Sequence, residues 1–118
     1  MEVIETKLWE ILVPHRMGNH DLYRHDNSLP KSKRIIPVPY HQIWDEKVRK
    51  ITGGLTICKS AKGQWVDRDG KLFKEIMIPV KIACSEEQII EIANMSKEFY
   101  QQKAIFVSLI SEKTMIIS

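Results

Sequence analysis

Cysteine is scarce: the 118 residues hold two, Cys58 and Cys84. No Cys-x-x-Cys pair seats a structural zinc, and two cysteines cannot staple a secreted scaffold, so both read as buried free thiols. Charge of one sign is also lacking. A net charge of +3 is well short of what marks a nucleic-acid-binding protein by composition alone, and a nucleic-acid partner is not expected. No apolar run approaches the length of a membrane span. The opening MEVIETKLWE carries acids where a secretory leader carries bases, which predicts a cytoplasmic protein. Repeats and low-complexity segments are missing as well. What is present is ordinary for a globular chain: 43% hydrophobic and 28% charged residues, in a length that suits one domain over 1–118.

KLWEILV, Lys7 to Val13, mixes β-branched and aromatic residues and stops at Pro14, so a first strand is expected there. From His15 to Pro39 no period persists and Gly, Asn, Asp and Pro recur, which predicts a long basic loop. Tyr40, Ile43, Trp44, Lys47, Val48 and Ile51 share one helical face, closed by Gly53-Gly54. Leu55 to Val66 and Lys71 to Ile82 flank DRDG and predict an antiparallel hairpin with a bulge at Gly63. Ser85 and Gln88 form a capping box ahead of a second helix with Ile89, Ile92 or Ala93, Ser96 and Phe99 on its inner face. Ala104 to Ile110 predicts a last strand, and TMII a short addition. The result is an α+β, ferredoxin-like βαββαβ fold: a four-stranded antiparallel sheet with two helices on one face and a 15–39 loop after the first strand.

Alternation places Trp9, Ile11, Val13, Leu55, Ile57, Trp65, Leu72, Ile76, Ile78, Val80 and Ile82 under the helices. The other face then receives Glu10, Leu12, Thr56, Cys58, Gln64, Phe73, Glu75, Met77, Phe106 and Ser108, a half-apolar surface expected to be covered by a second copy of the chain, the alternative being that the long loop folds over it within one monomer. Glu10 and Glu75 fall on neighbouring central strands.

Three chemistries can be weighed against the polar residues of the chain. His15, His20 and His25, two of them followed by Asp21 and Asp26, are the right types for a metal, but their spacing shares no regular period, and neither a metal nor another cofactor is expected. Arg16, Arg24 and Arg34, with Lys31, Lys33 and Tyr23, suit an anionic ligand bearing a base, because guanidinium groups grip phosphate and ring faces stack. A phosphate-binding P-loop is excluded: Lys59-Ser60 follows Cys58 inside a predicted strand, where no glycine-rich turn opens a helix.

Gly54-Leu55-Thr56-Ile57, Gly63-Gln64-Trp65, Asp69-Gly70 and Glu75 together resemble the central hairpin of a family of small proteins of unknown function. Lys74 stands where that family carries Arg. The resemblance implies a ferredoxin-like fold and no activity; in architecture the chain is also similar to the dimeric α/β barrels, which include cofactor-free monooxygenases and small-ligand binders.

The expectation is a non-enzymatic homo-oligomer, a homodimer by preference, that binds a small anionic ligand of nucleotide type. Arg16, Tyr23, Arg24 and Arg34 would contact it, with Gln64 and Glu75 orienting its polar edges. Such a protein serves as a sensor or as a sequestering protein of the kind phages use against nucleotide-signalled defence. Two alternatives stand beside it: an enzyme using Glu10, Glu75 and His15 as acid and base in a dimer-enclosed pocket, and a protein-interaction module.

Overall fold

The computed structural model describes residues 1–16 and 35–118, apart from the side chains of Trp65 and Phe73. Most of the expected loop, with Tyr23, Arg24 and Arg34, lies outside the described residues. The elements run β1 (Val3–Pro14), α1 (Val38–Thr52), β2 (Thr56–Ile57), β3 (Ala61–Val66), β4 (Leu72–Cys84), α2 (Glu86–Phe99) and β5 (Val107–Ile117). Two helices lie on one face of an antiparallel five-stranded sheet in the order β2-β4-β1-β5, with β3 also on β4. The architecture is α+β.

The expected four strands become five because Leu55–Val66 is not one strand. Ile57 pairs with Val80 and Ala61 with Met77, which leaves Cys58, Lys59 and Ser60 against Ile78 and Pro79. That one-residue excess is a bulge; it falls at Cys58–Ser60 rather than at Gly63, and Cys58 N still donates to Pro79 O at 2.9 Å. β1 and β5 are each longer than expected, and the apolar C-terminal residues extend β5 without a break. Their far ends, with Val3, Ile4, Met115, Ile116 and Ile117, are exposed.

The helix boundaries have local causes. Gly53 closes α1 at φ 89°, its N–H donating to Arg49 O at 2.8 Å. Ser85 caps α2 reciprocally with Gln88, Ser85 Oγ accepting from Gln88 N at 3.2 Å and Gln88 Oε1 accepting from Ser85 N at 3.0 Å. Gln88 Nε2 also donates to Ile51 O at 3.1 Å, so the cap fastens one helix to the last turn of the other. Ser85→Ala is expected to cost about 1 kcal/mol, read as a lower denaturation midpoint at unchanged m-value.

Trp9, Ile11 and Val13 of β1 and Val80, Ile82 and Cys84 of β4 are buried beneath Trp44 and Val48 of α1 and Ile89 and Ile92 of α2. Ile43 departs from the expected inner face of α1 and is exposed; Tyr40 and Ile51 continue the Trp44–Val48 stripe. Trp9 Nε1 donates to Cys84 O at 3.0 Å, and Trp44 Nε1 donates to Ser96 Oγ at 2.8 Å, so each buried indole is satisfied. Burial among these groups pushes the Cys84 thiol up to about 11, and at neutral pH it is an inert packing group.

Candidate functional site

The sheet face away from the helices has an alternation set by register. On β4, Glu75, Met77, Pro79, Lys81 and Ala83 take that face, because Ile78, Val80 and Ile82 point into the core. Glu10 is opposed to Lys81 on one side and to Ser108 on the other, and Thr56 is opposed to Lys81 from β2. The row Thr56–Lys81–Glu10–Ser108 therefore crosses four strands as a polar band, bordered by Leu8, Leu12, Met77, Pro79, Ala83 and Phe106.

Glu75 stands at one end of this face. The backbone N–H of His15 donates to Ile76 O at 3.2 Å, just past the Pro14–Met77 pair. Arg16 follows this last bond on one side of the corner, and Glu75 precedes Ile76 on the other. Arg16 in turn bridges to Ile35, and His15 O accepts from Ile36 N at 3.0 Å, so the chain leaves this corner after Arg16 and re-enters it at Ile35. Burial lifts the Glu75 carboxyl to about 7, so near neutrality it exchanges between hydrogen-bond donor and charged acceptor.

Register separates some residues that the sequence reading grouped. Gln64 pairs with Lys74, and it is Gly63 that lies across from Glu75, so Gln64 is exposed on the opposite face. The cause is the turn. Asp67 Oδ1 accepts from Asp69 N at 2.9 Å and from Lys71 N at 3.0 Å, and Gly70 takes φ 78°, which makes a five-residue connection instead of the four residues of DRDG. The shift is one residue, enough to reverse a face. Glu10 and Glu75 are also apart: Lys81, the partner of Glu10, lies six residues along β4 from Glu75, roughly 20 Å at the rise of a strand. The two carboxylates cannot share a proton, and the acid–base pair expected from them is corrected on that ground.

A second titratable group escaped the sequence reading. His41, in the first turn of α1, has its Nδ1 2.7 Å from the Tyr100 hydroxyl, and its Nε2 is buried with no partner among the described residues. Tyr40 stacks on Phe99 with ring centroids 4.2 Å apart and donates its hydroxyl hydrogen to Phe99 O. Burial, then the nearby charges of Asp45 and Tyr40, raises the Tyr100 phenol far above its ordinary range, so it stays protonated, and the tautomer of His41 sets which of the two groups donates. Burial, then the charge of His15, lowers His41 and keeps its imidazole neutral. The arrangement ties the start of α1 to the end of α2. The available signal was His41 three residues before Trp44, one turn along the helix. Among the described residues no group of three or more His, Cys, Asp or Glu is placed to hold a metal.

No family model matches the chain, and no curated protein sequence does. Solved structures do. A phage SAM lyase in complex with S-methyl-5'-thioadenosine superposes with a TM-score of 0.60 at 13% identity, over 96% of this chain and 90% of that one. The divalent cation tolerance protein CutA of Thermus thermophilus gives 0.52 at 7% identity over 98% and 84%. CutA of Synechococcus elongatus gives 0.52 at 9% over 97% and 86%. The chain thus shares the fold of small ferredoxin-like α/β proteins.

Proposed function

We propose that the protein is a cytoplasmic, non-enzymatic homo-oligomer that binds a small anionic ligand of nucleotide type, acting as a sensor or as a sequestering protein. The frame is ferredoxin-like βαββαβ, with the bulged β2–β3 run standing for one strand. The observation that carries the reading is the corner of the open face where the last β1–β4 hydrogen bond, His15 N–H to Ile76 O, brings the chain to Arg16 on one strand and to Glu75 on the other. A guanidinium there holds phosphate, while a carboxyl that stays neutral up to about pH 7 does not repel it and can donate to a ring nitrogen of the base. Tyr23, Arg24 and Arg34 complete the site in this reading, on the segment that leaves and re-enters at Arg16 and Ile35. Support also comes from the nucleoside bound to the phage enzyme of the same fold.

A thermal-shift panel of mono- and cyclic nucleotides, with S-methyl-5'-thioadenosine as the uncharged comparison, tests this. Nucleotides are expected to raise the melting temperature more than the uncharged nucleoside, and Arg16→Ala to weaken binding by about tenfold or more through loss of a charged hydrogen bond. No shift with any nucleotide contradicts the proposal.

Turnover is a second reading, favoured by one observation: a half-buried carboxyl at about 7 is suited to moving a proton at neutral pH. In that case Glu75 acts without Glu10. Product formed from a nucleoside substrate by the wild type and not by Glu75→Gln would select it.

A further inference from the structure

At the middle of the open face, Glu10 and Lys81 are half buried, directly opposed on the two central strands, and make no ion pair or side-chain hydrogen bond among the described residues. Leu8, Leu12, Met77, Pro79, Ala83 and Phe106 surround them, and Phe106 is 69% exposed. This is an apolar field around one pair of opposite charges that the chain itself does not close into an ion pair. A second copy can lie on it with its sheet aligned, about 10 Å away, through a two-fold axis in the plane between the sheets. Two such axes pass through the charged row. An axis perpendicular to the strands lays Glu10 over Glu10 and Lys81 over Lys81, which is repulsive. An axis parallel to the strands, midway between β1 and β4, lays the partner's β1 over β4 and its β4 over β1. Each Glu10 then meets the Lys81 of the other copy, twice, at the centre of the contact.

We infer that two copies of this chain pack open face to open face about the strand-parallel axis, joined by reciprocal Glu10–Lys81 contacts. This rests on the homo-oligomer of the proposed function and adds its geometry. Because that axis preserves strand direction, both Arg16–Glu75 corners come to the same rim, and the two ligand sites open side by side in the cleft between the sheets. The perpendicular axis would send them to opposite ends.

Charge reversal tests the contact between chains. E10K alone places two cations in each copy, and K81E alone two anions; each variant is expected to be monomeric by light scattering, while an equimolar mixture recovers the wild-type mass as a mixed dimer. Circular dichroism checks that each variant folds. Should either single variant fail to fold, the double variant E10K/K81E keeps opposite charges within the chain and is expected to dimerise with itself but to form no mixed dimer with the wild type by native mass spectrometry. A wild-type protein that is monomeric, single variants that self-associate like the wild type, or statistical mixing of the double variant with the wild type overturns the inference. The ligand site is judged separately: a monomer that binds nucleotide removes the dimer and leaves the site, and a dimer that binds none does the reverse.

Discussion

Trp44→Ala is expected to lower the free energy of unfolding by about 4 kcal/mol, the middle of the range for loss of a buried aromatic side chain. Trp44 is 1% exposed and sits where α1 meets α2. Its removal leaves a cavity beside Val48 and Tyr100, whose ring centroid is 6.1 Å from the indole, because neither helix can close in without tearing other contacts. It also strips a donor from Ser96 Oγ. That hydroxyl still donates to Ile92 O at 2.6 Å and so keeps one partner. Trp44→Phe, which refills most of the volume but not the N–H, is expected to cost roughly half as much. Denaturant titration reads both. A loss below about 1 kcal/mol for the alanine variant would mean that the helices do not rest on this residue.

Stability is expected to fall as pH rises from about 4.5 to about 7, because of Glu75. The folded protein holds this proton more tightly than the unfolded chain, whose carboxyl has its ordinary value of 4.5. Between the two values the native state therefore binds more protons, and raising the pH removes native stability. The contribution is complete below 4.5 and gone above about 7. Discounted by about half for the solvent that reaches the group, it amounts to on the order of 1–2 kcal/mol. Glu75→Gln is expected to remove this slope and to be the more stable protein at about pH 8. Unfolding curves for the two proteins at about pH 5 and about pH 8 check it, and parallel behaviour across that range contradicts the burial of Glu75.

Local signals carried most of the fold. Ser85 with Gln88, Gly53 after the α1 stripe, and the β-branched runs of β1 and β4 each have a cause within a few residues, and the elements form where those causes place them. Register is different, because it depends on which groups a turn captures. DRDG reads as the whole connection, yet Asp67 takes two backbone N–H groups and adds Lys71 to it, which moves Gln64 to the face away from Glu75. The bulge at Cys58–Ser60 is likewise set by the pairing of β2 and β3 with one long strand, and no glycine marks it. Of the candidate site, Glu75 on the open face was legible from alternation alone. The corner to which Arg16 and Glu75 both come, the opposition of Glu10 to Lys81 and the meeting of His41 with Tyr100 join residues 59 or more apart in sequence, for which a single chain carries no local mark.

Calorimetric titration with a cyclic mononucleotide, whose phosphodiester keeps one charge throughout, tests the ligand site most directly. Its affinity is expected to be roughly tenfold higher at about pH 6 than at about pH 8 for the wild type, since neutral Glu75 accepts the anion and charged Glu75 repels it, and to be flat in Glu75→Gln. Equal affinity at both pH values in the wild type, or tighter binding at the higher one, would contradict the account.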